Sequence, residues 1–235
     1  LLAHAHDVST LNYPVLSDQA IFLSFSSLQG GGQLIAISQD SGRTLWQNNV
    51  DANLGSLSTP TYSDGSVYIS LSGADYPIIQ AFDATDGHNI FQTTIKGGRD
   101  LQGAFKDGIL TAVNGHVMTT LYKEPYYGVY SLDQKTGTQQ WLAPLLNPIF
   151  GITWPYGWGV SSDGYKVYNY QISDAYNPGS LTVFNLNDGS LDYSIFDAKP
   201  CGISGQTDAS PVTTVTIDAT NHIAIINGCG LEAFD

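Results

Sequence analysis

Gln80-Ala-Phe-Asp-Ala-Thr-Asp-Gly87, with the aromatic ring of Phe91 four residues later, is one of four closely similar segments in this chain. Each segment has a small residue, an Asp- or Asn-containing turn, a glycine and a later aromatic ring. The other glycine and ring pairs are Gly42 with Trp46, Gly137 with Trp141, and Gly189 with Tyr193. A fifth copy begins at Glu232-Ala-Phe-Asp235. The pattern recurs at intervals of about 50 residues, which is typical of a repeat architecture.

Each copy predicts a β-hairpin. An alternating strand leads into Asp-x-x-x-Gly, where glycine supplies the positive φ of a tight turn, and the ring lies on the returning strand and packs beside the hairpin. A second hairpin precedes each copy, most clearly at residues 60–70, where Ser63-Asp64-Gly65 forms the turn. Each repeat thus predicts four antiparallel strands, A to D, which make one β-propeller blade. We therefore predict an all-β fold: a β-propeller of four-stranded antiparallel blades, five in number.

The motif small-x-Asp-x-x-(Thr/Asp)-Gly-x-x-x-Trp resembles the repeat of the PQQ-like (quinoprotein-like) β-propellers, where PQQ is pyrroloquinoline quinone. The resemblance extends over nearly the whole chain. That family includes quinoprotein alcohol dehydrogenases, the outer-membrane assembly propeller lipoprotein and tetrathionate hydrolase. The resemblance therefore implies the fold and leaves several activities open, because one fold hosts many functions.

The phase of the repeats predicts a single propeller domain over residues 1–235. The predicted blades span approximately residues 9–50, 56–95, 101–145, 151–197 and 203–235, and residues 1–8 complete the last blade. Aligning Val8 with Val50 puts His4 in the column of rings, so residues 1–8 are interpreted as the D strand that closes the ring. Two alternatives stay open. The chain is a section of a seven- or eight-bladed propeller, or residues 1–8 complete a blade of a neighbouring molecule.

Composition and charge exclude several classes of protein. Of the 235 residues, 42% are hydrophobic and 11% aromatic, which is too apolar for disorder. No apolar run approaches the roughly 18 residues of a membrane span. The 8 Lys and Arg against 21 Asp and Glu give a net charge of −13, which excludes a nucleic-acid binder that uses a basic patch. Asp greatly outnumbers Glu and is concentrated beside turn glycines, so much of this charge reflects turn chemistry.

Loop lengths select one face of the predicted propeller as the candidate surface. The A–B and C–D turns are short and alike, whereas the B–C and D–A loops on the opposite face, here called the loop face, are long and varied. Such loops on a rigid scaffold usually carry function. The aromatic residues predicted to bind a ligand or partner there are Tyr76, Tyr126, Tyr127, Trp154, Tyr156, Trp158 and Tyr176. In the alternative interpretation, Trp154 and Trp158 only fill the central funnel or cover the core of the fourth blade.

Catalytic residues are weakly indicated. Asp100 and Asp208 precede inner strands, and Arg99 lies beside one of them, so these three are the candidates for acid, base or anion-binding roles. The alternative for each carboxylate is a turn or a solvated loop. No metal site is predicted.

The two cysteines, Cys201 and Cys229, are predicted to lie on the loop face and to form a disulfide, with two buried thiols as the alternative. Quinoprotein alcohol dehydrogenases carry adjacent cysteines under the cofactor, and this chain has no adjacent pair. We therefore expect no cofactor, with PQQ and Ca²⁺ as the alternative.

The functional hypothesis is a secreted or cell-surface binding or assembly module that acts through the loop face or through a terminal strand. The neutral-polar composition and the cysteine pair favour an extracellular, cell-surface or periplasmic location. The expected partner is a protein or a second copy, with carbohydrate possible and nucleic acid excluded. The alternatives are a section of a quinoprotein-like dehydrogenase or hydrolase, and a five-bladed propeller that binds or cleaves carbohydrate.

Overall fold

The structure is a computed structural model in which all regular structure among the described residues is β-strand. The residues it describes are 8–27, 32–50, 56–72, 78–95, 98–99, 110–123, 126–145, 160–171, 180–196, 215–218, 220, 223–227 and 231–234. Within these ranges, no helix is long and apolar enough to cross a membrane.

The first and second sheets are antiparallel and share one strand order. In the first, β1-β3-β4-β5 are hydrogen-bonded in that order and β2 also pairs with β3. These strands are β1 (Val8–Leu11), β2 (Val15–Leu16), β3 (Ala20–Ser27), β4 (Gly32–Ser38) and β5 (Thr44–Val50). In the second, the order is β6-β8-β9-β10, and β7 also pairs with β8. These strands are β6 (Ser56–Leu57), β7 (Thr61–Ser63), β8 (Ser66–Ser72), β9 (Ile78–Asp83) and β10 (Asn89–Thr94).

The remaining three sheets follow the same plan. The third comprises β11 (Gly98–Arg99), β12 (Thr111–Val113), β13 (His116–Lys123), β14 (Tyr126–Asp133) and β15 (Gln139–Pro144). The fourth comprises β16 (Val160–Ser162), β17 (Lys166–Gln171), β18 (Ser180–Asn185) and β19 (Leu191–Phe196). The fifth, three-stranded among the described residues, comprises β20 (Thr216–Asp218), β21 (Ile223–Asn227) and β22 (Leu231–Phe234). The predicted fold class is confirmed, whereas the count of five blades and the closure of a ring stay predictions.

Apolar clusters lie between consecutive sheets. Val67 and Ile69 of β8 pack against Phe22 of the first sheet, and all three are 0% exposed. Tyr68, which lies between them in sequence, packs instead with Val117 of the third sheet. Successive side chains of a strand point to opposite faces, so one strand contributes to two clusters. Burial of each such side chain stabilises the fold by about 1.5–3 kcal/mol.

A ring of one sheet contacts the turn glycine of the next sheet. An added Cβ on Gly87 would lie 2.6 Å from Cδ2 of Trp46, and one on Gly189 would lie 2.6 Å from Cε3 of Trp141. The ring of Phe91 contacts Gly137 in the same way. The hairpin beside each ring therefore belongs to the following blade. This contact requires glycine, because a side chain there would occupy the space of the ring.

Hydrogen bonds reinforce these junctions. The indole Nε1 of Trp46 donates to the carbonyl of Ala84 at 2.9 Å, and that of Trp141 donates to the carbonyl of Leu186 at 2.9 Å. Thr93 Oγ1, two residues after Phe91, donates to the carbonyl of Gly137 at 2.7 Å. The sheets are thus joined by directional contacts as well as by apolar burial.

The structure differs from the predicted D strand over residues 1–8 at the last residue of that strand, Val8. Val8 pairs with Ser27 in β1–β3 of the first sheet, so it belongs to the inner strand of the first blade and does not extend a D strand of the last blade. Only three residues separate β1 from β2, which leads into the hairpin with β3, and this short connection favours the pairing of β1 with β3. Residues 1–7, including His4, lie outside the described residues.

Candidate functional site

Most of the predicted loop face lies outside the described residues. This applies to the candidates Tyr76, Trp154, Tyr156, Trp158, Tyr176, Asp100, Asp208, Cys201 and Cys229. Their predicted roles stay predictions. The described part of this face is the end of the third sheet, where three of the candidates lie.

The backbone register of the third sheet brings Arg99, Tyr126 and Tyr127 to one end of that sheet. Arg99 pairs with Tyr122, and Tyr122 pairs with Tyr127, so these three residues lie opposite one another across β11, β13 and β14. Lys123 pairs with Tyr126 in the next row. This end of the sheet therefore concentrates two cationic and three tyrosine residues.

The secondary structure here differs from the prediction. Tyr126 and Tyr127 were predicted to lie in a long loop, whereas the structure places them in β14 and places Arg99 in β11. The run Tyr126-Tyr-Gly-Val-Tyr130 has strong β-propensity, and it extends the hairpin until only two residues connect β13 and β14. Backbone pairing holds residues on strands more rigidly than residues on a long loop.

The opposite face, here called the turn face, uses its carboxylates for turn structure. Asp133 Oδ1 accepts the amide of Lys135 at 3.0 Å and both the amide and the hydroxyl of Thr136, at 2.8 and 2.9 Å. The hydroxyl and amide of Thr136 lower the pKa of Asp133. Asp188 Oδ1 accepts the amide and hydroxyl of Ser190, which lower the pKa of that carboxyl. These two carboxylates therefore accept hydrogen bonds from residues of their own turns.

One group of three metal-ligating side chains occurs among the described residues, and it lies on the turn face. Asp83, Asp86 and His88 each offer an atom within 4.8 Å of the others. Asp83 Oδ1 already accepts the amides of Thr85 and Asp86, and Asp86 Oδ1 lies 2.7 Å from Nδ1 of His88. The amide and ring of His88 lower the pKa of Asp86, and the Asp86 carboxylate raises the pKa of His88. Turn hydrogen bonds account for this arrangement.

His116, the first residue of β13, is a buried titratable group. It is 7% exposed, and its Nδ1 lies 2.9 Å from Oγ of Ser131. The Ser131 hydroxyl donates to Gln140 Oε1 at 3.0 Å, so Nδ1 of His116 donates to Ser131. Burial lowers the pKa of His116, against smaller opposing effects of Gln140 and Asp133. Burial therefore favours the neutral form of this imidazole, which hydrogen-bonds within the sheet.

The expectation of no cofactor, with PQQ and Ca²⁺ as the alternative, stays a prediction. Calcium binds several converging carboxylate and carbonyl oxygens. Among the residues that the structure describes, the one cluster of carboxylates and imidazole is that of Asp83, Asp86 and His88, on the turn face.

The sheets and the glycine–ring junctions define a β-propeller built of PQQ-like repeats. A family model described as "Outer membrane protein assembly factor BamB" matches residues 9–148, and the chain belongs to this family. No match was found among curated protein sequences.

Solved structures with similar folds include a quinohemoprotein alcohol dehydrogenase and the propeller of Dos1. The quinohemoprotein alcohol dehydrogenase from Comamonas testosteroni has 16% identity and a TM-score of 0.60, over 94% of this chain and 40% of that chain. The Dos1 propeller has 12% identity and a TM-score of 0.61, over 96% of this chain and 56% of that chain. This chain therefore spans about half or less of the length of these proteins. At such identities the likeness is one of fold alone.

Proposed function

We propose that the chain is a protein-binding or assembly module of the cell envelope or the extracellular space, and that it binds through its loop face. The observation that carries the proposal is the row of Arg99, Tyr122 and Tyr127 across three strands of the third sheet, with Lys123 and Tyr126 in the next row. Tyr and Arg are enriched among residues that dominate binding energy at protein interfaces. The family takes its name from an outer membrane protein assembly factor, which supports the same class of function.

The chemistry of the two faces supports the choice of the loop face. On the turn face, the carboxylates of Asp83, Asp133 and Asp188 accept hydrogen bonds within their own turns. Asn114 Nδ2 donates to the carbonyl of Gly164 in the next blade at 2.9 Å. These groups serve the scaffold, which leaves the opposite face for recognition.

The same proposal places the protein in an oxidising compartment. Cys201 and Cys229 would be disulfide-bonded there, as expected of a secreted or periplasmic protein. A terminal strand is the second route of assembly, in which an extended segment completes a blade by main-chain pairing.

Site-specific photo-crosslinking tests the loop-face proposal. A photoreactive phenylalanine analogue replaces Tyr127 in one variant and, as a matched control, replaces Tyr165, which is 80% exposed at a turn on the opposite face. In cells that naturally produce the protein, we expect the position-127 variant alone to form a discrete adduct with a protein. Arg99→Ala should weaken that adduct several-fold. Equal adducts from both positions, or none from position 127, would show that the loop face is not the binding surface.

A further inference from the structure

The turn between β12 and β13 carries one of the two Asn-Gly pairs of the sequence. Asn114 and Gly115 are its two central residues, since Val113 pairs with His116. Asparagine is among the chemically labile residues. A glycine after it leaves the backbone nitrogen unshielded by a Cβ. Both residues are exposed, so a reactive pair lies on the turn face.

The reaction open to this pair is deamidation. The backbone nitrogen of Gly115 attacks Cγ of Asn114, a C–N bond forms, the Cγ–Nδ2 bond breaks, and the backbone amide proton leaves with Nδ2 as ammonia. The resulting cyclic succinimide then takes up a water molecule at either of its carbonyls. The product is an aspartate or an isoaspartate at position 114, and no electrons are gained or lost in either step.

The folded turn holds the two reacting atoms apart. Asn114 has φ of 47° and Gly115 has φ of 88°, left-handed values that are typical of a two-residue hairpin turn. A left-handed residue has ψ of about +30 to +60°. This rotation places the next backbone nitrogen nearly opposite Cβ across the Cα–C bond. The nitrogen of Gly115 therefore reaches Cγ of Asn114 only when the turn rearranges.

Two hydrogen bonds hold the turn in this conformation. Nδ2 of Asn114 donates to the carbonyl of Gly164 in the fourth sheet at 2.9 Å. The backbone N–H of Gly115 donates to Oε1 of Gln134 at 2.9 Å, and Gln134 is 5% exposed. The leaving group and the attacking nitrogen are thus both engaged, and the leaving group is engaged across the junction between the third and fourth sheets.

We propose that Asn114 is a deamidation site controlled by the junction between the third and fourth sheets. While the junction is closed, the turn keeps its left-handed conformation and the side-chain amide survives. When the junction opens, the turn rearranges and the nitrogen of Gly115 reaches Cγ of Asn114. Such local opening costs less free energy than global unfolding. Deamidation therefore marks molecules whose junction has opened, and this inference depends neither on the loop face nor on the proposed partner.

The product would weaken the same junction. A carboxylate has no hydrogen to donate, so an aspartate at position 114 would present a second acceptor to the carbonyl of Gly164. The second sheet shows the opposite arrangement: Asp64 also has φ of 47°, and its Oδ2 accepts from Nε2 of Gln134 at 3.2 Å. The neighbouring groups thus match a carboxylate at position 64 and an amide at position 114, so deamidation makes reopening of the junction easier.

Peptide mapping of the 235-residue chain measures the reaction. After incubation at mildly alkaline pH, the tryptic peptide of residues 107–123 contains Asn114 and excludes the other pair, Asn227–Gly228. Chromatography with mass spectrometry separates its asparagine, aspartate and isoaspartate forms. The site should deamidate in guanidinium chloride, and at least about tenfold more slowly in the folded chain, since reaction there requires local opening. Equal rates would overturn control by the junction, and no reaction in denaturant would overturn the site.

Two variants distinguish the local contact from general stability. Gln134→Ala frees the backbone N–H of Gly115 and should speed deamidation of the folded chain at least about threefold, as expected for loss of one hydrogen bond. Gly87→Ala is the control, because its contact with Trp46 lies at another junction, and the rate should stay within about twofold of the parent chain. No acceleration by Gln134→Ala, or equal acceleration by both variants, would overturn the local control.

The variant Asn114→Asp isolates the effect of the product. Its midpoint of unfolding in urea should lie below that of the parent chain, because the carboxylate faces the carbonyl of Gly164. Asp64→Asn is the control, since it makes the reverse change at a turn residue with the same φ and keeps a side-chain acceptor for Gln134. A midpoint for Asn114→Asp that equals the parent value, or a larger loss for Asp64→Asn, would overturn the weakening of the junction.

Discussion

The indole of Trp46 occupies the space into which a side chain on Gly87 would extend. A Cβ on Gly87 would lie 2.6 Å from Cδ2 and 2.7 Å from Cε3 of Trp46, although the two residues belong to different sheets. Trp46 Nε1 also donates to Ala84 O, and Asn48 donates to Gly87 O. A glycine selected by its own turn thus also forms the contact surface for the preceding blade.

Gly87→Ala should therefore destabilise the protein more than Gly65→Ala. Gly87 and Gly65 have φ of 76° and 77°, so both substitutions carry the cost of a left-handed alanine, about 1–2 kcal/mol. Only Gly87→Ala also collides with a buried ring, which should add about 1–3 kcal/mol. Urea unfolding of both variants measures the difference. Equal losses would show that the ring moves aside without cost.

The repeat pattern was sufficient to predict the strands and the hairpins, but not which hairpins meet. Asp83 and Gly87 specify their turn through contacts within a few residues of one another, and such local chemistry is legible in sequence. The contact of Trp46 with Gly87 joins residues of different sheets, so it becomes visible only when the sheets are assembled. The strand pairing of Val8 was mispredicted for a similar reason, since the short segment at Val8 fits either blade until the register is known.

The candidate site was less predictable than the fold. Long connections between strands predicted the loop face as a surface, and residue type alone selected Tyr126 and Tyr127. That the third-sheet hairpin runs to Lys123 and resumes at Tyr126 depends on pairing across β13 and β14. His116 gave no sequence signal of burial, because a histidine beside a turn is usually exposed.

Asp163→Ala should destabilise the fold by about 1–3 kcal/mol, because it leaves the hydroxyl of buried Tyr168 without its acceptor. Asp163 Oδ2 accepts from Tyr168 Oη at 3.0 Å, and Oδ1 accepts the amides of Tyr165 and Lys166 at 2.8 and 2.7 Å. Asp188→Ala removes a turn carboxylate that is exposed, and should destabilise the fold less than Asp163→Ala does. Chemical denaturation of both variants tests the ranking, and a larger loss for Asp188→Ala would contradict it.

Cys201 and Cys229 should react with a thiol reagent only after reduction of the denatured protein. Mass spectrometry with and without reductant measures this directly. If the disulfide forms, reduction should lower the free energy of unfolding by about 2–4 kcal/mol, since the bond restricts the unfolded chain. Full labelling without reductant, in protein recovered from its natural host, would contradict both the disulfide and the proposed oxidising compartment.

Adding PQQ with Ca²⁺ should leave the melting temperature unchanged. A ligand that binds the folded state stabilises it, by about 2.7 kcal/mol at a concentration one hundred times its Kd. Differential scanning fluorimetry over a range of PQQ concentrations, with Ca²⁺ alone and EDTA as controls, tests this expectation. A saturable rise that EDTA reverses would instead favour the quinoprotein enzyme.

His116 should make the protein less stable as the pH falls below its ordinary pKa of 6.5. Burial lowers the pKa of His116 in the folded state, so in this range the unfolded chain binds more protons than the folded one. Its contribution to stability is therefore full above pH 6.5 and declines as the pH falls towards the folded-state pKa. His116→Gln should flatten this part of the curve of unfolding free energy against pH. His88→Gln is the control: Asp86 raises the pKa of His88, so any contribution of this exposed pair is present below pH 6.5 and lost as the pH rises. If His116→Gln and the parent chain lose stability equally between about pH 7.5 and 5, another group carries the acid sensitivity.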